Sequence, residues 1–247
     1  MISAIIQARV SSTRLPNKIF AEIEGKPLIY HIVNRISRSK KVDNILIATT
    51  INPADDTLID WAKKNKIQYF RGSEDDVLDR YYNASKSIKA DIVARITSDD
   101  PFKDPTILDN VINLLLEKKL DFACNNNPPT FPEGLDIEVF TFEALEKANT
   151  RSNDGFEREH VTQYFYRHPE LFRQGNYFNA SNLSKLRWTI DTEKDMEMAK
   201  VIYRELYKTD EIFLFEDILE LLKRNPHIVE INSSVKRSAM YNKAESN

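Results

Sequence analysis

Arg9, Arg14 and Lys18 fall within a ten-residue stretch, with Ala8 ahead of them and Ser11, Ser12 and Thr13 between them. Those types suit a polyphosphate. Arg presents a planar fork of donors, Lys a mobile point charge, and hydroxyls and loop amides fill the remaining acceptors. The stretch lacks the Gly-Lys-Ser/Thr of a Walker A loop, and no Gly-x-Gly-x-x-Gly occurs in the chain. By composition alone it reads equally as a solvated basic loop. A second set is acidic: Asp99 and Asp191 each follow a run of β-forming residues. Two carboxylates at separate strand ends suit Mg²⁺, with Mn²⁺ as a substitute, because such a cation keeps water and takes phosphate oxygens. Here too a plainer reading stands. Asp99-Asp100-Pro101 is also a turn opening, and Asp191-Thr192-Glu193 a helix cap with an acidic first turn.

These groups can meet only if the elements around them bring them to one side. Ser3–Gln7, Asn44–Thr50, Gln68–Arg71 and Asp91–Thr97 read as strands. Between and after them, Pro27–Ser37, Asp55–Asn65, Asp75–Ile88 and Ile107–Lys118 have helical spacing, with Pro27 at a helix start. Strands alternating with helices of this length predict an α/β fold: a mostly parallel twisted sheet, Rossmann-like, with helices on both faces. In such sheets ligands bind at the carboxyl ends of the strands, where the basic loop, Asp99 and Asp191 would all lie. Thr49 and Ser73 close the second and third strands and could line a nucleobase pocket with hydroxyls and amides.

The second half is less regular. Asn125–Gly134 is a Pro- and Asn-rich loop, Asp136–Phe140 is strand-like, and Glu143–Asn149 and Glu157–Arg167 read as helices. Arg187–Ile190 reads as a strand leading into a helix over Glu193–Tyr207, and Phe215–Lys223 as a last short helix. We expect one domain over residues 1–247, with a small inserted α+β subdomain around 125–180 for acceptor binding or dimer contacts, and a loose tail over 233–247.

The formal charge is −3, from 35 basic and 38 acidic residues, which argues against nucleic acid as the main partner. One cysteine and four histidines exclude an intrachain disulfide and a zinc-finger framework. Arg9 and Arg14 follow the apolar Met1–Ala8 too soon for a signal-peptide core, and no run reaches the length of a membrane span. The expectation is a cytoplasmic protein acting on small molecules, without a membrane partner.

Several blocks together carry a family resemblance: Gln7–Lys18 with Ala-Arg and Arg-Leu-Pro-x-Lys; Arg71-Gly72-Ser73 with Asp75–Tyr82; Arg95–Pro101; Gly134–Phe140; Arg158–Thr162; and Asp191–Asp195. In this order they resemble the spore-coat polysaccharide biosynthesis type of cytidylyltransferase, related to the KDO and acylneuraminate cytidylyltransferases. Ser98 stands where that pattern usually has Gly, and Asp100 where it has an apolar residue or Cys. The resemblance implies transfer of CMP from CTP to an acidic sugar or sugar phosphate, with Asp99 and Asp191 as magnesium ligands and a homodimer as the usual assembly. It also implies cytosine recognition near Arg71, Ser73 and Asp76. Asp76 is otherwise a helix-opening residue four positions before Arg80, an ordinary ion-pair spacing. Asp136 and Glu138 share a strand face by period-two spacing. With Glu133 they could hold sugar hydroxyls, or form a polar strand face. Arg158 and His160 are candidates for an acceptor anion, although a lone helical His is more often a packing residue. A guanylyl- or uridylyltransferase and a nucleotide-sugar-dependent glycosyltransferase remain as alternatives.

Overall fold

The computed structural model describes residues 1–11 and 15–236. In chain order the strands and helices are β1 (Ile2–Gln7), β2 (Glu22–Ile23), β3 (Lys26–Pro27), α1 (Leu28–Ile36), β4 (Asn44–Thr50), α2 (Asp56–Lys64), β5 (Gln68–Gly72), α3 (Val77–Ser87), β6 (Ile92–Thr97) and α4 (Pro105–Glu117). There follow β7 (Phe122–Cys124), β8 (Glu138–Thr141), α5 (Phe142–Arg151), α6 (Gly155–Glu159), α7 (Gln163–Arg167), β9 (Gln174–Asn176), α8 (Glu193–Leu206), α9 (Phe215–Arg224) and α10 (His227–Glu230).

The main sheet has seven strands in the order β5-β4-β1-β6-β8-β7-β9. The β5-β4-β1-β6 half is parallel throughout; β8 runs antiparallel to both neighbours, and β9 is parallel to β7. Alternation along β1 divides the core. Ala4 and Ile6 join one apolar cluster with Leu28, Ile32, Leu108, Val111, Ala199 and Ile218, while Ile5 joins another with Leu78, Tyr81, Leu145 and Phe165. Helices α1, α2, α4, α8 and α9 thus cover one face, and α3, α5 and α7 the other. The first half of the chain follows the sequence pattern closely. Residues 125–180 lay β8 and β9 into this sheet and pack α5 and α7 onto it, so this stretch shares the core of the first half of the chain.

Local chemistry fixes the element starts. Asp104 caps α4 by accepting from Thr106 and Ile107 amides at 2.7 and 3.2 Å, with Pro105 at the first helical position. Its other oxygen accepts from the Phe215 amide at 2.7 Å, which ties the start of α9 to that of α4. Thr192 and Asp195 form a capping box at α8.

Two expected elements change form. Arg187–Ile190 joins no ladder; Arg187 makes a single bridge to Glu133. The Trp188 amide bonds the Glu133 carbonyl at 2.7 Å and the Ile190 amide the Asp99 carbonyl at 2.8 Å, so the segment is extended but held by loops. Gly134, at φ +102°, permits this, since a Cβ there would meet the Trp188 carbonyl carbon at 2.8 Å. The single helix expected over Glu157–Arg167 is broken into α6 and α7 at Val161, whose φ is 35°. Among the described residues no helix is long and apolar enough to cross a membrane.

Candidate active site

Lys18 lies in a short 3₁₀ turn after β1, past the basic loop. Its ammonium donates to the Ile190 carbonyl at 2.7 Å, to Asp191 Oδ1 at 3.1 Å and to Asp99 Oδ2 at 3.3 Å. The Lys18 and Asp191 side chains are 11% and 7% exposed and that of Asp99 is 30% exposed, so the cluster opens to solvent on the Asp99 side. Asp99 follows β6 at the carboxyl rim of the parallel strands, and Asp191 immediately precedes the capped start of α8. Burial pushes the Asp99 carboxyl up, but the Lys18 charge and several hydrogen bonds outweigh it and hold it below its ordinary value.

Asp191 turns its other oxygen to Arg187, whose Nη2 donates at 3.1 Å. Arg187 is 7% exposed and also holds Asp195 through Nε at 3.0 Å and Glu133 through Nη1 at 2.9 Å. Asn232 adds an amide bond at 2.9 Å to Asp195 Oδ1 and one at 3.0 Å to the Arg187 carbonyl. A buried guanidinium facing three carboxylates fixes the Asp191 carboxylate so that Oδ1 faces Lys18. Asp195 is therefore a support. Asp100 is turned inward as well: its Oδ2 takes the Lys103 ammonium at 2.8 Å and the Thr97 hydroxyl at 2.6 Å. Lys103, 1% exposed, also donates to the Asp136 carbonyl, which joins the turn after β6 to the segment leading into β8.

The donor set suits Mg²⁺. The pair consists of hard carboxylate oxygens, and a cation, the Lys18 ammonium, already fits between them. Asp99 and Asp191 would share such an ion with phosphate oxygens and water.

Other expected residues are distributed as follows. Ser12, Thr13 and Arg14 lie outside the described residues. Arg9, 51% exposed, pairs with Glu74 at 3.3 Å. Ala8 is buried and Ser11 exposed. Thr49 is buried and donates to Asp55 at 2.9 Å; Asp55 also receives the Val10 amide at 2.7 Å, which anchors the basic loop to β4. Arg71 binds the Thr50 and Asn52 carbonyls, each at 2.8 Å, and Asp56 at 2.7 Å. The Ser73 hydroxyl accepts from the Asp76 amide at 3.0 Å. Asp76 caps α3 and takes Arg158 Nε at 2.6 Å; Arg158 also donates to the Asn149 and Ser152 carbonyls at 3.1 and 2.9 Å. Arg71, Asp76 and Arg158 thus tie elements together. His160 packs on Phe156 with ring centroids 4.5 Å apart. Glu138 pairs with Arg95 at 2.5 Å and receives the Tyr166 hydroxyl at 2.7 Å. Sequence reasoning missed Arg187, Arg95, Tyr166, Lys103 and Asn232. Charged side chains at strand-like or apolar positions, Arg95 and Arg187 above all, were the available signal.

Comparison with known proteins adds the family. A family model described as cytidylyltransferase matches residues 3–242. An uncharacterized protein of Methanocaldococcus jannaschii is 38% identical over 96% of this chain and 97% of its own length. The spore coat polysaccharide biosynthesis protein SpsF of Bacillus subtilis is 34% identical over 90% of this chain and 94% of its own. Among solved structures, a cytidylyltransferase from Leptospira borgpetersenii superposes with a TM-score of 0.88 at 36% identity, covering 92% of this chain and 96% of that one. A CMP:2-keto-3-deoxy-manno-octonic acid synthetase complexed with CTP shares the fold, with a TM-score of 0.64 at 16% identity over 83% of this chain and 99% of that one. A basic loop after the central strand, carboxylates at the same rim and a match along nearly the whole chain agree: this chain belongs to the cytidylyltransferase family.

Proposed function

We propose that this cytidylyltransferase moves CMP from CTP to an oxygen of a sugar-type acceptor and releases pyrophosphate, in the making of a surface polysaccharide or related glycan. The acceptor is an acidic sugar of the 3-deoxy-octulosonate or nonulosonic kind, or a sugar phosphate. The observation that carries the reading is the Lys18 ammonium seated between Asp99 and Asp191, 3.3 and 3.1 Å from their oxygens, beside the basic loop. The names of the Bacillus and Leptospira relatives support it.

The acceptor oxygen attacks the α-phosphorus in line, a hydroxyl acceptor releasing its proton to solvent. A new P–O bond forms as the bond to the bridging oxygen of the β-phosphate breaks, and that oxygen leaves with the electron pair as pyrophosphate. Arg9, Arg14 and Lys18 bind the phosphates and stabilise the charge that develops on the leaving group. Asp99 and Asp191 would hold Mg²⁺, which would supply further positive charge against the phosphoryl oxygens. Ser11, Ser12, Thr13 and Ser73 are assigned to nucleotide contacts, and the buried Ala8 and Thr49, with Arg71 and Asp76, to the shaping of the wall. We assign Asp136, Glu138 and His160 to the acceptor side, while Glu133 and Arg158 act as supports through Arg187 and Asp76. The enzyme works in the cytoplasm, as a homodimer.

The test is pyrophosphate release with each of the four ribonucleoside triphosphates against a panel of acidic sugars and sugar phosphates, with Mg²⁺ titrated. Turnover with CTP and Mg²⁺ is expected. Turnover with another triphosphate but not CTP overturns the base assignment, and full turnover in the presence of EDTA overturns the metal.

A further inference from the structure

The sheet face covered by α3, α5 and α7 changes character toward its carboxyl rim. Val93, Phe140 and Phe122 pair across β6, β8 and β7 as one apolar row, each fully buried. The next inward-facing row on the same strands is Arg95, Glu138 and Cys124. Arg95 Nη1 meets Glu138 Oε2 at 2.5 Å, and Nη2 reaches Gln7 Oε1 at 3.5 Å. Tyr166, from α7, donates to Glu138 Oε1 at 2.7 Å and lies 2.8 Å from the side-chain oxygen of Asn126. The Arg95 and Glu138 side chains are only 16% and 6% exposed. A buried ion pair is a weak source of stability, since well-packed apolar groups in its place are often neutral or better. Core packing therefore gives no reason for this row, whereas ligand recognition does. Among the described residues, Arg95 Nε is buried without a hydrogen-bond partner, which a purely structural ion pair would not call for.

Topology says which ligand. Strand order reverses at β1: the chain steps outward through β4 and β5, then returns to place β6 on the other side. Ligands bind at such a switch point. The basic loop follows β1, and Thr49 and Ser73 lie on the β4-β5 side, so the nucleotide occupies that half. The β6-β8-β7 side, where Arg95 stands four residues before Asp99, is left for the second substrate.

We propose that Arg95, Glu138 and Tyr166, with Gln7 and Asn126 at the edge, form the subsite that reads neighbouring hydroxyl groups of the acceptor. The inference rests on the nucleotidyl-transfer reading above. Each sugar hydroxyl both donates and accepts, which a guanidinium–carboxylate pair answers with one group of each kind. The pair has no net charge, and a ligand carboxylate in this place would face Glu138. The polyol part of the acceptor therefore lies here, and any acidic group it has is met elsewhere. Glu138 is ionised in this role: burial pushes its carboxyl up, but the Arg95 charge and the Tyr166 hydroxyl bring it below the usual value.

Saturation-transfer NMR on the full chain, loaded with α,β-methylene CTP and Mg²⁺, tests this with 3-deoxy-manno-octulosonate, N-acetylneuraminate and mannose 1-phosphate as probes. At least one probe is expected to bind, with its strongest saturation on hydroxyl-bearing carbons. Tyr166→Phe should weaken that binding about tenfold, the scale of one hydrogen bond to a charged group. Glu138→Gln should weaken it further. Thermal stabilisation by the CTP analogue should stay as in the unaltered protein in Tyr166→Phe, which also shows that this variant folds. If the CTP-loaded protein binds none of the probes, or Tyr166→Phe binds them equally well, the subsite is overturned while the nucleotide reading stands. If the unaltered protein gains no stability from the CTP analogue, the underlying function fails instead.

Discussion

Asp191 joins two charged clusters that differ in kind. On one side a single ammonium, Lys18, is shared between Asp191 and the part-exposed Asp99. On the other, Arg187 is enclosed by Glu133, Asp191 and Asp195, with side-chain exposures of 4%, 7% and 0%. The first cluster has a point-charge cation and a side open to solvent at Asp99, where a metal ion or phosphate has access. The second has a planar guanidinium pinned at several points, so it can only hold its shape. One carboxylate thus belongs to both: its position comes from the closed cluster and its bond to Lys18 from the open one.

The largest effect should come from breaking the closed cluster. Arg187→Met leaves three buried carboxylates without their cation and should lower stability by about 3–5 kcal/mol, read from the urea midpoint. A loss under 1 kcal/mol would mean that the two clusters do not differ as described. Breaking the open cluster should act on rate instead. Lys18→Ala and Asp99→Asn should each lower kcat roughly a hundredfold, about 3 kcal/mol of barrier, with little change in the urea midpoint. Wild-type pyrophosphate release in either variant would remove the catalytic half of the comparison.

Smaller changes sharpen the contrast. Asn232→Ala removes one amide from Asp195 and should cost about 1–2 kcal/mol of stability, with the rate falling only as far as Asp191 is loosened. For Asp195, burial pushes the carboxyl up, yet bonds from Arg187, Asn232 and the Asp191 amide bring it below its ordinary value. Its stabilising contribution is therefore complete above roughly pH 4 and is lost as the pH falls below that. Urea midpoints between pH 5 and pH 3 should fall less steeply in Asp195→Asn than in the unaltered protein. The smallest effect is expected at Arg9, half-exposed and paired with the part-buried Glu74. Arg9→Ala should change stability by less than about 1 kcal/mol, so a fall in the rate of CTP turnover there would reflect phosphate binding alone.

How far the sequence could be read depended on the length of each signal. Strand β4 spans Asn44–Thr50 and helix α4 spans Pro105–Glu117, each long enough to show its period. Strands β7 and β9 have three residues each, too few to display alternation, and both were missed. Arg187–Ile190 has β-forming residues, but whether an extended segment joins a ladder depends on what lies beside it, and here that is a loop and a buried guanidinium.

The same division holds for the site. Asp99 and Asp191 stood out because each sits just beyond a β-type run, and Lys18 because it closes the basic stretch that follows β1, although the run before Asp191 is held by loops and not by a ladder. Residue types also pointed, without any contact being known, to phosphate and a hard cation at the carboxyl rim of the sheet. Only the tertiary structure decided which charges are available and which are locked. Arg95 and Glu138 are 43 positions apart and Arg158 and Asp76 are 82 apart. Those pairings follow from how strands and helices stack. A side chain's charge is written in the sequence, but whether that charge is exposed, shared or neutralised depends on burial and on partners brought together by folding.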